Sequence, residues 1–237
     1  LRGLLLLLCA CGRIGFQLTG ATGDATNNDA VQLDGTSGAG FTILGPVIGG
    51  ASNNTSVAIP IGTFPAGDFI VVTITQPGAT VAEMYVSDNG TAISNYTFGA
   101  RSTDTACPAA IDIWYAAASP SRGSILTIGM SAATTVTVWV VVVRGASAVA
   151  ATAQLNSQAS STTPQSAARP TPNVPAAYLA AVQSCGNLLG ITGPPFTAFS
   201  PQGGADVAYD LSPGTSGAQA DWASSKATYT SNIIELH

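Results

Sequence analysis

Residues Thr134 to Gly145, TTVTVWVVVVRG, constrain this chain more than any other stretch. On an extended backbone Thr135 and Thr137 fall on one face and Val136 and Val138 on the other. From Trp139 to Val143 both faces are apolar. Alternation that gives way to a doubly apolar half reads as a strand buried at its far end between two layers. The residues are β-branched or aromatic, which argues against a helix. Arg144-Gly145 ends the run. The expectation is a central strand of a β-sandwich, with the other strands packed around it.

The rest of the body supports that class. Phe69 to Thr75 alternates after the turn Pro65-Ala66-Gly67-Asp68, with Ile70, Val72 and Ile74 on one face. Ile111, Ile113 and Tyr115 stand opposite Asp112 and Trp114. Leu126, Ile128 and Met130 point inward from Ser124 to Met130, and the short gap to Thr134 predicts an antiparallel hairpin of 124–130 with 134–143. Ala30 to Leu44 offers two short strands, AVQLD and GFTIL. Ser56 to Ile61 reads as an edge strand or strand end, because Pro60 cannot donate to a ladder. Asp88-Asn89-Gly90, between Val81–Val86 and Ser94–Gly99, reads as a hairpin turn.

Ala148 to Leu155 reads as a further strand. Asn156 to Asn173 lacks periodicity and is rich in Ser, Thr and Pro, as a long loop is. Pro175 to Cys185 fits a strand or an alanine-rich helix, and we read it as a strand because one helix among so many strands needs its own packing face. Phe196 to Phe199, Asp206 to Asp210 and Thr228 to Leu236 complete the set. The fold class expected is all-β, a single antiparallel β-sandwich or jelly roll of about a dozen short strands.

The N-terminus reads as an address. Arg2, then Leu4 to Leu8, then Cys9-Ala10-Cys11-Gly12 give a positive charge, an apolar run and small residues, the order of a secretory signal. The run is shorter than the roughly 20 apolar residues that span a bilayer. Leu8-Cys9-Ala10-Cys11 resembles the lipobox of bacterial lipoproteins, with Cys9 where that family usually has Ala, Ser or Thr. Cys11 to Phe16 is similar to the mature start of lipoproteins from myxobacteria and their relatives. The resemblance implies cleavage before Cys11 and lipidation of Cys11. With Gly12 following, it also implies passage to the outer membrane or cell surface of a Gram-negative bacterium. Plain secretion, or an apolar start with no export role, are the alternatives. Residues 1–16 are thus read as signal and lipidated start, 17–29 as a flexible tether, and 30–237 as the β-sandwich domain with a Ser/Thr/Pro-rich loop at 156–173.

The body also resembles, from about Ser56 to His237, a broad group of uncharacterised β-sandwich proteins of secreted bacterial and phage origin. The cues are Ala66-Gly67-Asp68, Trp114-Tyr115-Ala116, Arg144-Gly145 and Tyr178 to Val182. The group implies a fold and no chemistry.

Charged residues make up only 8% of the chain, the net charge is −5 and Lys226 is the single lysine. A surface polar through Ser, Thr and Asn suits an extracellular protein. The absence of a basic cluster argues against nucleic-acid binding, which is driven by Lys and Arg contacts to phosphate. Cys107 and Cys185 are expected to form a disulfide if the domain is exported.

The single histidine, His237, stands last in the sequence, and neither a Gly-x-Ser-x-Gly elbow nor Ser-x-x-Lys occurs. A Ser–His enzyme is therefore not expected. Glycoside hydrolysis needs two positioned carboxyls. Glu83 and Glu235 are far apart in sequence, and Asp206 with Asp210 is the nearest pair. Asp24, Asp29 and Asp34 do not match an EF-hand loop, so no metal and no cofactor are expected. Trp139 reads as core. Trp114 reads as outward-facing, and Trp222, within the polar run Gln219 to Lys226, as the aromatic best placed to meet a ligand.

The function expected is a lipid-anchored, non-enzymatic binding, adhesion or envelope-structural role. A lectin-like carbohydrate-binding domain using Trp222 and a carboxylate-dependent glycan hydrolase using Asp206 and Asp210 are the alternatives. The expected partners are a membrane, through Cys11, and a glycan or other cell-surface ligand.

Overall fold

The computed structural model describes residues 40–78, 81–118, 122–169, 172, 174–193, 195–199, 201–211 and 219–237. The lipobox with Cys11, the tether, the strand read in AVQLD and the acidic residues Asp24, Asp29 and Asp34 lie outside them. Among the described residues the chain is all-β and antiparallel, with thirteen strands: β1 (Thr42–Pro60), β2 (Asp68–Pro77), β3 (Glu83–Ser87), β4 (Thr97–Asp104), β5 (Ala109–Ala117), β6 (Ile125–Arg144), β7 (Val149–Ser161), β8 (Ala177–Ser184), β9 (Leu188–Ile191), β10 (Thr197–Ala198), β11 (Ala205–Asp210), β12 (Trp222–Ser224) and β13 (Ala227–Leu236). They make a first sheet in the order β1-β6-β2-β5-β4, with β3 also on β6, and a second in the order β10-β11-β8-β13-β7. A small pair, β12-β9, lies apart.

The expected central strand is central. β6 runs between β1 and β2, and Trp139 is fully buried with Val138 and Val140 to Val143. The two faces of its apolar half serve different layers. Val141 and Val143, with Phe69, Val71 and Ile113, meet Leu179, Ile234 and Leu236 of the second sheet. Beside them Trp139 packs against Ala181, Ala205 and Val207. Small side chains on the second sheet leave room for the indole, as close packing requires.

The opposite face of β6 is covered by the first sheet itself. Leu126, Ile128 and Met130 share one apolar cluster with Val136, Val138, Val140 and Val142, although all seven belong to one strand. β6 therefore does not form the hairpin expected between 124–130 and 134–143. It continues through the exposed residues Ser131 to Ala133 and bends. β1 follows it along its length, with register shifts around Asn54, where Asn53 takes a φ of 54°. Extra residues in one strand of a pair bend it and increase its twist. The bend brings Ile59 back onto Gly49, where an added Cβ would meet Ile59 at 2.8 Å. Ten residues of straight strand would span about 33 Å. GFTIL and SVAIPI are thus the two ends of β1, and Pro60 ends it.

Two further expectations are corrected. Asp88-Asn89-Gly90 is not a hairpin turn, because β3 pairs with β6 and β4 with β5. The Ser/Thr/Pro-rich stretch 156–173 is not loop throughout, since β7 extends to Ser161 and pairs with β13. Beyond it Ser166 is fully buried and its Oγ accepts from the Ala220 amide at 2.9 Å. Pro175 to Cys185 does form a strand, β8, buried along its whole length.

The outer face of the second sheet carries a third apolar cluster: Tyr178, Ala180, Val182, Ala208 and Ile233, covered by Leu188, Phe196 and Trp222. The sandwich is closed along one side by side chains. The amides of Thr103 and Thr105 on the edge formed by β4 donate to Asn156 Oδ1 and Ser157 Oγ on β7, both at 2.9 Å. Such lacing satisfies edge groups that would otherwise template a further strand.

Candidate functional site

Trp222 is fully buried, so it does not provide the exposed stacking face expected of it. Its polar neighbours are spent on the fold. Gln219 Nε2 donates to Ser166 O at 2.9 Å, and Gln165 Nε2 donates to Asp221 Oδ1 at 2.9 Å. Trp222 Nε1 donates to Asp206 Oδ2 at 3.0 Å, while Asp206 Oδ1 accepts the Val207 amide at 2.8 Å. Asp206 is fully buried and Asp210 nearly so. The two carboxyls expected of a hydrolase are therefore built into the wall of the second sheet.

The acidic residues that do come together are Glu83 and Asp112, which the sequence separates. On β5, Asp112 pairs with Ile74 of β2 and with Arg101 of β4. Alternation places all three, and Gln76 two residues along β2, on the inward face of the bent sheet. Glu83 reaches the group from β3, beyond the bend. Arg101 Nη1 lies 3.4 Å from Glu83 Oε2 and 3.4 Å from Asp112 Oδ2, and its Nη2 donates to Val81 O at 3.1 Å. Gln76 Nε2 donates to Glu83 Oε1. The carboxyl side chains are 2% and 0% exposed, against 25% for the arginine.

Two carboxylates and one guanidinium leave one negative charge too many in a dry site. Burial is the main influence on both acids and pushes both up. The Glu83 charge pushes Asp112 further, to about 9, against the pull of Arg101. With both ionised, neither Asp112 oxygen has a donor. A proton on Asp112, donated to Glu83, removes the excess charge and supplies the missing hydrogen bond. The pair thus holds one shared proton at neutral pH. Gln76 and Arg101 tie the pair to the strands around it, so it forms a proton-bound clasp between β3, β4 and β5.

Two further clusters are also built into the fold. Asp88 accepts from Asn95 Nδ2 (2.6 Å), Tyr96 Oη (3.0 Å) and Arg122 Nη1 (3.2 Å), and Arg122 lies 4.7 Å over the Tyr96 ring. Burial, then the Asp88 charge, raises the Tyr96 phenol beyond the usual range. Glu235 lies 3.3 Å from Arg169 Nη2 and 2.8 Å from His237 Nε2. Ser147 Oγ donates to the main-chain oxygen of His237 at 3.1 Å, not to its ring. Arg144 grips Asp68 through both carboxylate oxygens, at 3.1 and 3.3 Å, as the polar end of β6.

Cys107, in the turn before β5, and Cys185, just after β8, have Cα atoms 6.2 Å apart and are bridged across the two sheets. The distance lies within the disulfide range. Trp114 is only half-buried, its ring edge-on to exposed Phe98 at 5.1 Å.

No protein-family model matches the chain, and comparison with curated proteins and with solved structures finds no match. No helix of the described residues is long and apolar enough to cross a membrane.

Proposed function

We propose that the chain is an exported, lipid-anchored cell-surface protein whose β-sandwich has a non-enzymatic binding, adhesion or envelope-structural role. Cys11 carries the anchor in this reading. The observation that carries the export half is the bridge between Cys107 and Cys185, 78 residues apart and joining the two sheets at one end. A bridge of this kind persists in an oxidising compartment and is rare in the cytosol. The non-enzymatic half is supported by where the acids go. Asp68, Asp88, Asp112, Asp206, Glu83 and Glu235 hold arginine, amide or indole partners within the packed layers.

Labelled palmitate fed to a Gram-negative host expressing the full chain tests the anchor. Label is expected in the protein and is expected to vanish in Cys11→Ser. An unlabelled wild-type protein contradicts the anchor. The second reading within the binding role is a carbohydrate ligand. It is favoured by a concavity beside the bridge whose lining includes Gln183 and Asn187.

A further inference from the structure

Asn89 and Gly90 lie in the loop between β3 and β4, and both are exposed. They are the one Asn-Gly pair of the chain. The Asn89 side-chain oxygen accepts from Ser87 Oγ at 2.6 Å, from the Thr91 amide at 3.1 Å and from Thr91 Oγ1 at 2.6 Å. These donors fix which end of the side-chain amide is oxygen, and Nδ2 has no protein partner among the described residues.

The amides on either side of Gly90 are held. That of Asn89 donates to Ser87 Oγ at 3.4 Å, and that of Thr91 to Asn89 Oδ1 at 3.1 Å. The Gly90 amide makes no hydrogen bond among the described residues. Gly90 has a φ of 75°, and a Cβ there would meet nothing within 4 Å. With no Cβ of its own, the residue leaves its nitrogen open to close approach.

We propose that Asn89 is a spontaneous modification site, at which the folded loop converts asparagine to aspartate or isoaspartate through a cyclic imide. The Gly90 nitrogen bonds to Asn89 Cγ and gives up its proton. The bond from Cγ to Nδ2 breaks, and ammonia leaves carrying that proton into water. A water molecule then adds to one imide carbonyl. Opening one carbon–nitrogen bond gives aspartate, and opening the other gives isoaspartate, whose main chain runs through the side-chain carbon. Ser87 and Thr91 are positioning residues: they stabilise charge on the amide oxygen as Gly90 attacks. Afterwards they hold the new carboxylate by charge-assisted hydrogen bonds. The product adds a negative charge next to Asp88, which is buried and paired with Arg122. The reaction is independent of the lipid anchor and of any ligand.

Asn53 and Asn54 provide an internal reference. Both are exposed, and the residues that follow them are Asn54 and Thr55 in place of glycine. The test incubates the folded full chain at neutral and mildly alkaline pH. Peptic peptides are then mapped by mass spectrometry, with electron-transfer fragmentation to separate aspartate from isoaspartate. Conversion is expected at Asn89 roughly tenfold or more faster than at Asn53 or Asn54, and faster at the higher pH. Gly90→Ala is expected to slow it roughly tenfold, and Thr91→Val about threefold. An unchanged near-ultraviolet circular dichroism spectrum verifies that each variant is folded. Conversion at Asn89 no faster than at Asn53 and Asn54, or a rate unchanged in Gly90→Ala, overturns the proposal. A rate that is unchanged or higher in Thr91→Val overturns the part assigned to the hydrogen-bond donors.

Discussion

The two sheets cover their outer faces by different means. The first folds its own strands over, so that the two ends of β6 share one apolar cluster. The second is covered by separate short segments: β9, β12 and the chain from Thr162 to Ala167, tied to it by hydrogen bonds such as Trp222 to Asp206. A cover continuous with its sheet is aligned by the ladder and needs little pinning. A cover made of separate segments needs anchors, and a buried tryptophan with its nitrogen held is a strong one. The polar groups differ accordingly. The first sheet closes its open end with a carboxyl pair and an arginine. The second uses a carboxylate to hold an indole in place.

The largest effect expected from breaking this contrast is in the second cover. Trp222→Ala removes the largest side chain there and leaves Asp206 without its indole donor. It is expected to destabilise the protein by about 3–5 kcal/mol in urea unfolding. Loss of the bridge comes next. Cys107→Ser is expected to cost about 2–4 kcal/mol, read from the same transition, with a matching loss in the wild type under a thiol reductant.

The carboxyl pair of the first sheet gives an effect of opposite sign. Asp112 binds its proton more tightly folded than unfolded, so its contribution is fully present below about pH 4 and erodes as pH rises towards about 9. Asp112→Asn keeps a donor to Glu83 and removes the titration. It is expected to stabilise the protein at pH 8 by about 1–3 kcal/mol and to flatten the dependence of the unfolding midpoint between pH 5 and 9. The smallest effect expected is at Arg144, which is half exposed at the end of β6. Arg144→Ala is expected to cost about 1 kcal/mol or less, measured by thermal unfolding at low and high salt.

The same contrast explains what could be read from sequence. β2, β5, β13 and the apolar half of β6 were legible because their alternation or doubly apolar runs report burial directly, whereas the pattern of β8 fits helix or strand and only the strands around it decide. The bend in β6 was not. Small residues at Ser131 to Ala133 look the same in a turn and in an exposed strand crest, and pairing with β1 decides between them. In β1 the matching bend falls at Asn53-Asn54. Asp88-Asn89-Gly90 carries hairpin chemistry, yet β3 pairs with β6 across the bend. Trp222 reads as exposed in the sequence because its neighbours are polar, and those neighbours are bonded to the segment around Gln165 and Ser166. The Glu83–Asp112 pair depends on the bend, so no local pattern announces it. The one available hint was Asp112 itself, an acid in the middle of an apolar strand.

The central claim is that the buried acids of this domain hold its layers together. Carboxyl-carbon NMR of selectively labelled aspartate, followed from pH 3 to 10, tests it most directly at Asp112. The account predicts one aspartate still protonated at pH 7 and titrating near 9, and predicts that this signal is absent from Asp112→Asn. An Asp112 signal that titrates near its ordinary value of about 3.9 would contradict it.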